Sequence, residues 1–344
     1  MRSVFKLSLL AAALTALVAG NAFAQLSGDV SVAFGQKTTN DAAQSPYAGG
    51  GKLEGYGEFN LRGAGGEGAL TGGFRMRIRK DKSLSAGRMF MNYALSDALS
   101  IRIHGSSYGN TGIMGNADRS AFHFGGVAEN EADNDDTVNN QGVSVIFKGP
   151  VTAEAGIFTS CGNCPGVAKD PTTGDALYVR AGSQSIMLGV EGSAGAISYN
   201  AMILNAGSKD VDATGTTGTL PDMTPKTAFM GFGVGFAGGA FNVNLDYSSL
   251  KVNAGCDGCE DAKKDAVVLG LDAAGGYLSY ATITDTAAGA TTSDKEANII
   301  LGYKFVNTPK GHMAAEYRSQ TNTPGAGGDA AVTTAILVGA TTKF

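Results

Sequence analysis

The sequence predicts an all-β protein, a closed antiparallel barrel of sixteen strands that crosses a membrane. Three observations carry this. Short segments of alternating apolar and polar residues recur along the chain, separated by Gly, Asn, Asp and Thr. The connections between them alternate between short and long, as expected when turns gather at one end of a barrel and loops at the other. The last segment, residues 332–344, alternates throughout. It sets Val332, Thr334, Ile336, Val338, Ala340, Thr342 and Phe344 against Thr333, Ala335, Leu337, Gly339, Thr341 and Lys343.

At the N-terminus, Arg2 and Lys6 precede a mostly apolar run, residues 7–19, too short to span a bilayer comfortably. Ala22-Phe23-Ala24 follows as an A-x-A cleavage site. The expectation is a cleaved signal peptide over 1–24, with Gln25 as the mature start. A single barrel domain then fills 25–344 and is exported through the periplasm to the outer membrane. An uncleaved N-terminal anchor is the alternative. The chain has 26 Lys and Arg against 31 Asp and Glu, a balance that argues against nucleic acid, which needs a basic footprint. It has 51 Gly, no Trp and 17% charged residues, and nothing after Gln25 approaches the ~20 apolar residues of a spanning helix.

Taken in order, the clearest strand covers 52–62, with Leu53, Gly55, Gly57, Phe59 and Leu61 against Lys52, Glu54, Tyr56, Glu58, Asn60 and Arg62. In the next, Phe74, Met76 and Ile78 oppose Arg75, Arg77 and Arg79. Residues 99–106 set Leu99, Ile101 and Ile103 against Ser100, Arg102 and His104. Residues 181–191, 240–250, 277–285 and 295–305 continue the pattern. In each, one face suits lipid and the other water. Short links are expected at 63–68, 96–98, 149–150, 193–195, 237–239, 273–276 and 306–311. Long ones are expected at 36–51, 107–140, 160–176, 206–225, 251–265, 285–294 and 320–330. The link 80–85 is short where the parity asks for a loop. An even strand number lets the last strand pair with the first, and closure removes the unpaired edges that hydrocarbon would penalise. A soluble β-sandwich or β-helix explains the alternation but not the short–long parity.

The longest loop, 107–140, carries Asp118, Glu129, Glu131, Asp133, Asp135 and Asp136. Loops beyond ~12–15 residues are usually functional or disordered. The strands before it carry Arg62, Arg75, Arg77, Arg79, Arg88 and Arg102 on their polar faces. Facing rows of opposite charge would set a transverse field across a narrow water path, passing small polar solutes and excluding large or apolar ones. A structural salt-bridge network is the bland alternative for the arginines, and a solvated loop tip for the acids. Asp133, Asp135 and Asp136 also offer hard oxygen ligands to calcium, without the Gly and distal Glu of an EF-hand.

In strand parity, loop pattern and charge, the chain resembles the Gram-negative general porins, and its last strand resembles the C-terminal signature strand of outer-membrane proteins. The resemblance implies a homotrimer with one pore per chain and a third extracellular loop folded into the lumen. The six arginines would then be basic wall residues, and the six acids their loop partners. It also implies a C-terminal strand that addresses the barrel assembly machinery. The family's acidic loop motif with Pro and Phe is absent; Phe122-His123-Phe124-Gly125-Gly126 is a loose echo of it. The expected function is passive diffusion of ions and small hydrophilic solutes, with no reaction and no cofactor. The rivals are a substrate-specific channel for sugars or organic acids, a non-conducting adhesive or structural barrel, and a periplasmic binding module. Inward aromatics such as Tyr56, Phe90 and Phe158 are scattered and form no track.

Four cysteines make two C-x-x-C pairs, Cys161/Cys164 and Cys256/Cys259, both in links expected to be extracellular. In an exported chain these read as disulfides, within each pair or between the two loops. A four-cysteine zinc site is the alternative. Gly105-Ser106-Ser107-Tyr108-Gly109 fits G-x-S-x-G, but no strand–turn–helix context surrounds it.

Overall fold

The structure, a computed structural model, describes residues 25–40, 52–79, 84–105, 141–159, 167–213 and 222–344. The side chains of residues 25, 52–56, 79 and 84–88 are outside that description. The predicted signal peptide and loop 107–140 lie outside the described residues, except that the strand expected over 99–106 is described through Gly105.

The strands are β1 (Gln25–Thr39), β2 (Lys52–Glu67), β3 (Leu70–Arg79), β4 (Leu84–Ala94), β5 (Leu99–His104), β6 (Gly142–Lys148), β7 (Val151–Phe158) and β8 (Tyr178–Ala194). They continue as β9 (Ile197–Asp212), β10 (Lys226–Ala237), β11 (Phe241–Asn253), β12 (Ala262–Ala273), β13 (Gly276–Thr286), β14 (Asp294–Thr308), β15 (Gly311–Thr323) and β16 (Ala331–Lys343). Each pairs antiparallel with its neighbours in sequence, and β16 closes on β1. No backbone edge is left open, which is the condition for strands to stand in hydrocarbon.

Alternation sorts the residues by face. In β10, Thr227, Phe229, Gly231, Gly233 and Gly235 are buried towards the lumen, while Met230, Phe232, Val234 and Phe236 are exposed on the outside. In β16, Ala335 and Leu337 point in while Ile336 and Val338 point out. The outward set, including Phe34, Ile157, Ile203, Leu301 and Tyr303, is the apolar band of a membrane barrel. The inward face is less uniformly polar than its alternation suggests. Phe158, Met187, Met202, Leu204, Ala206 and Phe229 form one buried cluster, and Ala33, Tyr277, Ile300, Ala314, Ala335 and Leu337 form another. Period two settles which face a residue takes, but not what packs over it.

Several short links, those after β2, β8, β12 and β14, are tighter than expected. The turn after β2 is not 63–68, because the strand runs on to Glu67 and the ladder continues through Gly63↔Phe74 to Glu67↔Leu70. Gly63 breaks the apolar alternation but is the platform for the Phe74 ring, which occupies the place a Cβ would take. Ala274 (φ 50) and Gly275 (φ 87) form a two-residue hairpin turn between β12 and β13. Positive φ at both central residues matches the right-handed strand twist.

The seam is built at its lower end by the last residue. Gly28 N–H donates to Phe344 O at 3.0 Å, and Phe344 N–H donates back to Gly28 O at 3.0 Å. The Phe344 ring stacks on Phe59 at 5.9 Å and lies over Gly28, where any side chain would meet it.

Candidate functional site: the charged lumen wall

The inward polar residues gather into clusters on the barrel wall. The first spans β1 to β3 and centres on Asn60, which is buried. Its amide nitrogen donates to Asp29 Oδ2 (2.9 Å) and Glu58 Oε1 (2.7 Å). Its amide oxygen accepts from Arg75 Nη2 (3.2 Å) and Arg77 Nε (3.4 Å). Arg62 reaches Asp29 at 3.2 Å, and Arg77 reaches Glu58 at 3.3 Å. Arg62 and Arg75 are directly opposite in the ladder, a like-charge pair that would repel. Asp29 and Asn60 offset that repulsion. Among the described residues, three arginines and two carboxylates thus meet on this stretch of wall.

The second cluster runs from β4 to β7. Arg102 donates through Nε to Asn92 Oδ1 (2.8 Å), lies 5.0 Å over the Phe90 ring, and stands 3.7 Å from Glu154. Ser144 Oγ donates to Glu154 Oε1 (2.6 Å), and His104 Nε2 lies 3.0 Å from the same hydroxyl. The His104 ring packs against Phe158. Serine, histidine and carboxylate meet here, but the serine gives its proton to the carboxylate rather than to the histidine. That wiring does not make a nucleophile.

A third cluster is wholly buried. Arg318 donates to Glu316 Oε2 through Nε (2.9 Å) and Nη2 (2.7 Å), and Tyr277 Oη donates to Glu316 Oε1 (2.9 Å). Lys304 Nζ lies 5.2 Å from the Tyr277 ring centre. Nearer the loop end, Arg180 grips both carboxylate oxygens of Asp210 at 2.8 and 2.9 Å.

Of the predicted wall residues, Arg62, Arg75 and Arg77 come together, and Arg102 stands apart in the second cluster. The side chains of Arg79 and Arg88 lie outside the described residues. So do Asp118, Glu129, Glu131, Asp133, Asp135 and Asp136, with the calcium ligand set drawn from them. Asp29, Glu58 and Glu154, the carboxylates that face the described arginines, come from the wall itself. Sequence reasoning missed them, although each sits on the polar face of its strand. Matching that parity across neighbouring strands would have found them.

Cys256 and Cys259 are joined to each other, with Cα atoms 5.3 Å apart. Neither is therefore available to bridge to the other loop or to offer a thiolate to zinc. Cys161 and Cys164 lie outside the described residues, as does the G-x-S-x-G stretch beyond Gly105. Among the described residues, no group of three or more His, Cys, Asp or Glu is placed to hold a metal.

A closed, sixteen-stranded barrel with an apolar outer band and a charged inner wall is the architecture of a transmembrane β-barrel. No family model and no curated sequence matches the chain. Solved structures do. An anion-selective porin from Comamonas acidovorans shares 17% identity at a TM-score of 0.63, covering 94% of this chain and 100% of that one. The outer-membrane channel DcaP of Acinetobacter baumannii shares 14% at 0.64, covering 94% and 97%. A trimer form of OmpT from Vibrio cholerae shares 14% at 0.61, covering 94% and 100%. The chain has the barrel fold of the Gram-negative porins, and at these identities the likeness is one of fold.

Proposed function

We propose that this chain is an outer-membrane diffusion channel for ions and small hydrophilic solutes, assembled as a homotrimer and exported with cleavage near Ala24. The observation that carries the reading is the inward cluster of Arg62, Arg75 and Arg77 with Asp29 and Glu58 on one stretch of lumen wall. Basic groups beside a water path attract anions and repel cations, and these three arginines pull the channel towards anions. The acidic residues of loop 107–140 act as the opposing charges. Asp133, Asp135 and Asp136 also offer a calcium site, which chelation would empty.

Single-channel recording in planar bilayers tests this. The protein should give discrete steps, and a reversal potential in unequal salt that reports anion preference. A unit charge about 10 Å from the ion path contributes ~0.4 kcal/mol in water, with opposite sign for anion and cation, so about fourfold in their permeability ratio. Arg75→Ser with Arg77→Ser should move the ratio about sixteenfold towards cations, by the same arithmetic. Glu58→Gln should move it about fourfold the other way. An absence of steps sinks the channel reading. Steps with an unmoved reversal potential remove these arginines from the narrow part. A non-conducting barrel with a filled lumen is the second reading, favoured by the buried inward cluster around Met187 and Leu204.

A further inference from the structure

Outward-facing lysines gather at the loop end of β9 to β12. Parity assigns their direction. Thr227 and Phe229 are buried inward, so Lys226 and Ala228 point out; Leu250 packs on the inward cluster, so Lys251 points out. The register sets Lys251 opposite both Ala228 and Lys263, and Lys226 opposite Gly207, two residues before Lys209. Two of the four lysines are paired, Lys209 with Asp222 at 3.2 Å and Lys263 with Asp265 at 2.7 Å. Among the described residues, no carboxylate lies within ion-pair distance of Lys226 or Lys251. As diagonal neighbours across two strands, they are about 7–8 Å apart at the backbone.

Between these two lysines is a pocket of about 380 Å³, floored by Ala228 and walled by Asn253, Asp257 and Asp261. Its roof is the loop that carries the Cys256–Cys259 bond. The loop is held in place. Asn253 Oδ1 accepts from Gly255 N–H (2.6 Å), and Asn253 Nδ2 donates to Asp261 (2.7 Å), which orients that carboxylate while its charge stays in the pocket wall. Gly255 (φ +80) lies so close to the Thr224 backbone that no Cβ fits, and Thr224 N–H donates to its carbonyl at 3.2 Å. Immediately below, on the same outer face, Met230 and Phe232 are about half exposed and begin the apolar band. The pocket therefore sits where hydrocarbon gives way to headgroups. A lysine at that level keeps its stem in the apolar layer and its ammonium in water.

We propose that this pocket binds the phosphorylated headgroup of an outer-leaflet lipid. The phosphate would sit between Lys226 and Lys251, and the acyl chains would lie along Met230 and Phe232. The inference rests on the membrane-barrel reading above. Full-length protein in zwitterionic detergent doped with phosphatidic acid, examined by native mass spectrometry, tests it. Wild type should retain phosphatidic acid in preference to phosphatidylcholine. Lys226→Gln with Lys251→Gln should weaken retention about 25-fold, at about fivefold per lysine. Its single-channel conductance should not change, because both residues are outside the lumen. Retention indifferent to the double substitution overturns the proposal. Displacement of the lipid by inorganic phosphate at equal concentration makes the pocket a free-anion site and overturns the lipid assignment. A barrel that conducts but ignores phosphatidic acid refutes the pocket alone. One that retains lipid through these lysines but does not conduct refutes the channel alone.

Discussion

Closure of the barrel at Gly28 and Phe344 gives a prediction whose size follows from geometry. The Phe344 ring stacks on Phe59 at 5.9 Å with an interplanar angle of 19°. Such a pair contributes ~0.5–1.5 kcal/mol beyond burial. Phe344→Ala should therefore cost about 1 kcal/mol, while the two backbone hydrogen bonds to Gly28 remain. At Gly28, an added Cβ would stand 2.5 Å from both the Asn60 carbonyl oxygen and the Phe344 ring. Overpacking of this kind costs ~1–3 kcal/mol. In the double variant the ring is gone and only the Asn60 contact remains. Gly28→Ala should thus cost less in the Phe344→Ala background, with a coupling of about 1 kcal/mol for residues in contact. With no Trp in the chain, urea unfolding in phospholipid vesicles is best followed by the mobility shift of folded barrel on unheated gels. Strict additivity of the two substitutions would show that the ring does not occupy the space above Gly28, and the argument would fail.

Three further outcomes follow from the inner wall and the loops. Glu316→Ala removes the acceptor of two Arg318 donors and of Tyr277, and breaking a buried pair on one side should cost ~3–5 kcal/mol in the same unfolding assay; Glu316→Leu with Arg318→Met should cost clearly less. Gly233→Val should disturb β10 more than Gly182→Val disturbs β8, because a Cβ at Gly233 meets the Asp246 carboxylate and the Asn200 amide while Gly182 opens to free space; the reverse order in gel-shift stability would contradict the inward placement of Gly233. In the loop before β8, the Thr172 and Thr173 amides donate to Asp170 Oδ1 and hold its carboxyl below the usual range. With the folded value depressed, that carboxylate's support for the turn is complete above the ordinary Asp range near ~3.9 and is lost as pH falls through the lowered value. The Thr172 amide shift should titrate below that range in wild type and not at all in Asp170→Asn.

Much of the fold was legible because a strand's side chains alternate strictly. The residues on the polar faces of β2, β3 and β5, Arg62, Arg75, Arg77 and Arg102, turn inward as the pattern requires. Most strand ends were placed within a few residues, but β2 runs on to Glu67 and β9 to Asp212, past the links expected from 63 and 206. Two things were not legible. Leu337 and Met187 sit on faces that alternate with lipid-facing residues, yet they pack into buried inward clusters, because alternation reports side and not surroundings. Asp29 and Glu58 were passed over as partners because ion pairs across a sheet depend on register. A one-residue slip exchanges every face, and no local pattern records which residue stands opposite which.

The sequence by itself determined the class: sixteen alternating segments, a closed apolar exterior and a basic set of inward residues. These follow from local periodicity, and periodicity is written in the order of residues. Only the tertiary structure decided that the arginines answer to Asp29, Glu58 and Glu154 on their own wall, that Cys256 bonds Cys259, and that Phe344 covers Gly28 across the seam. It alone brought Lys226 and Lys251 to one outward pocket. Each of these depends on strand register or loop closure between segments distant in the chain, where the pairing free energy is set by what lies across the ladder rather than along it.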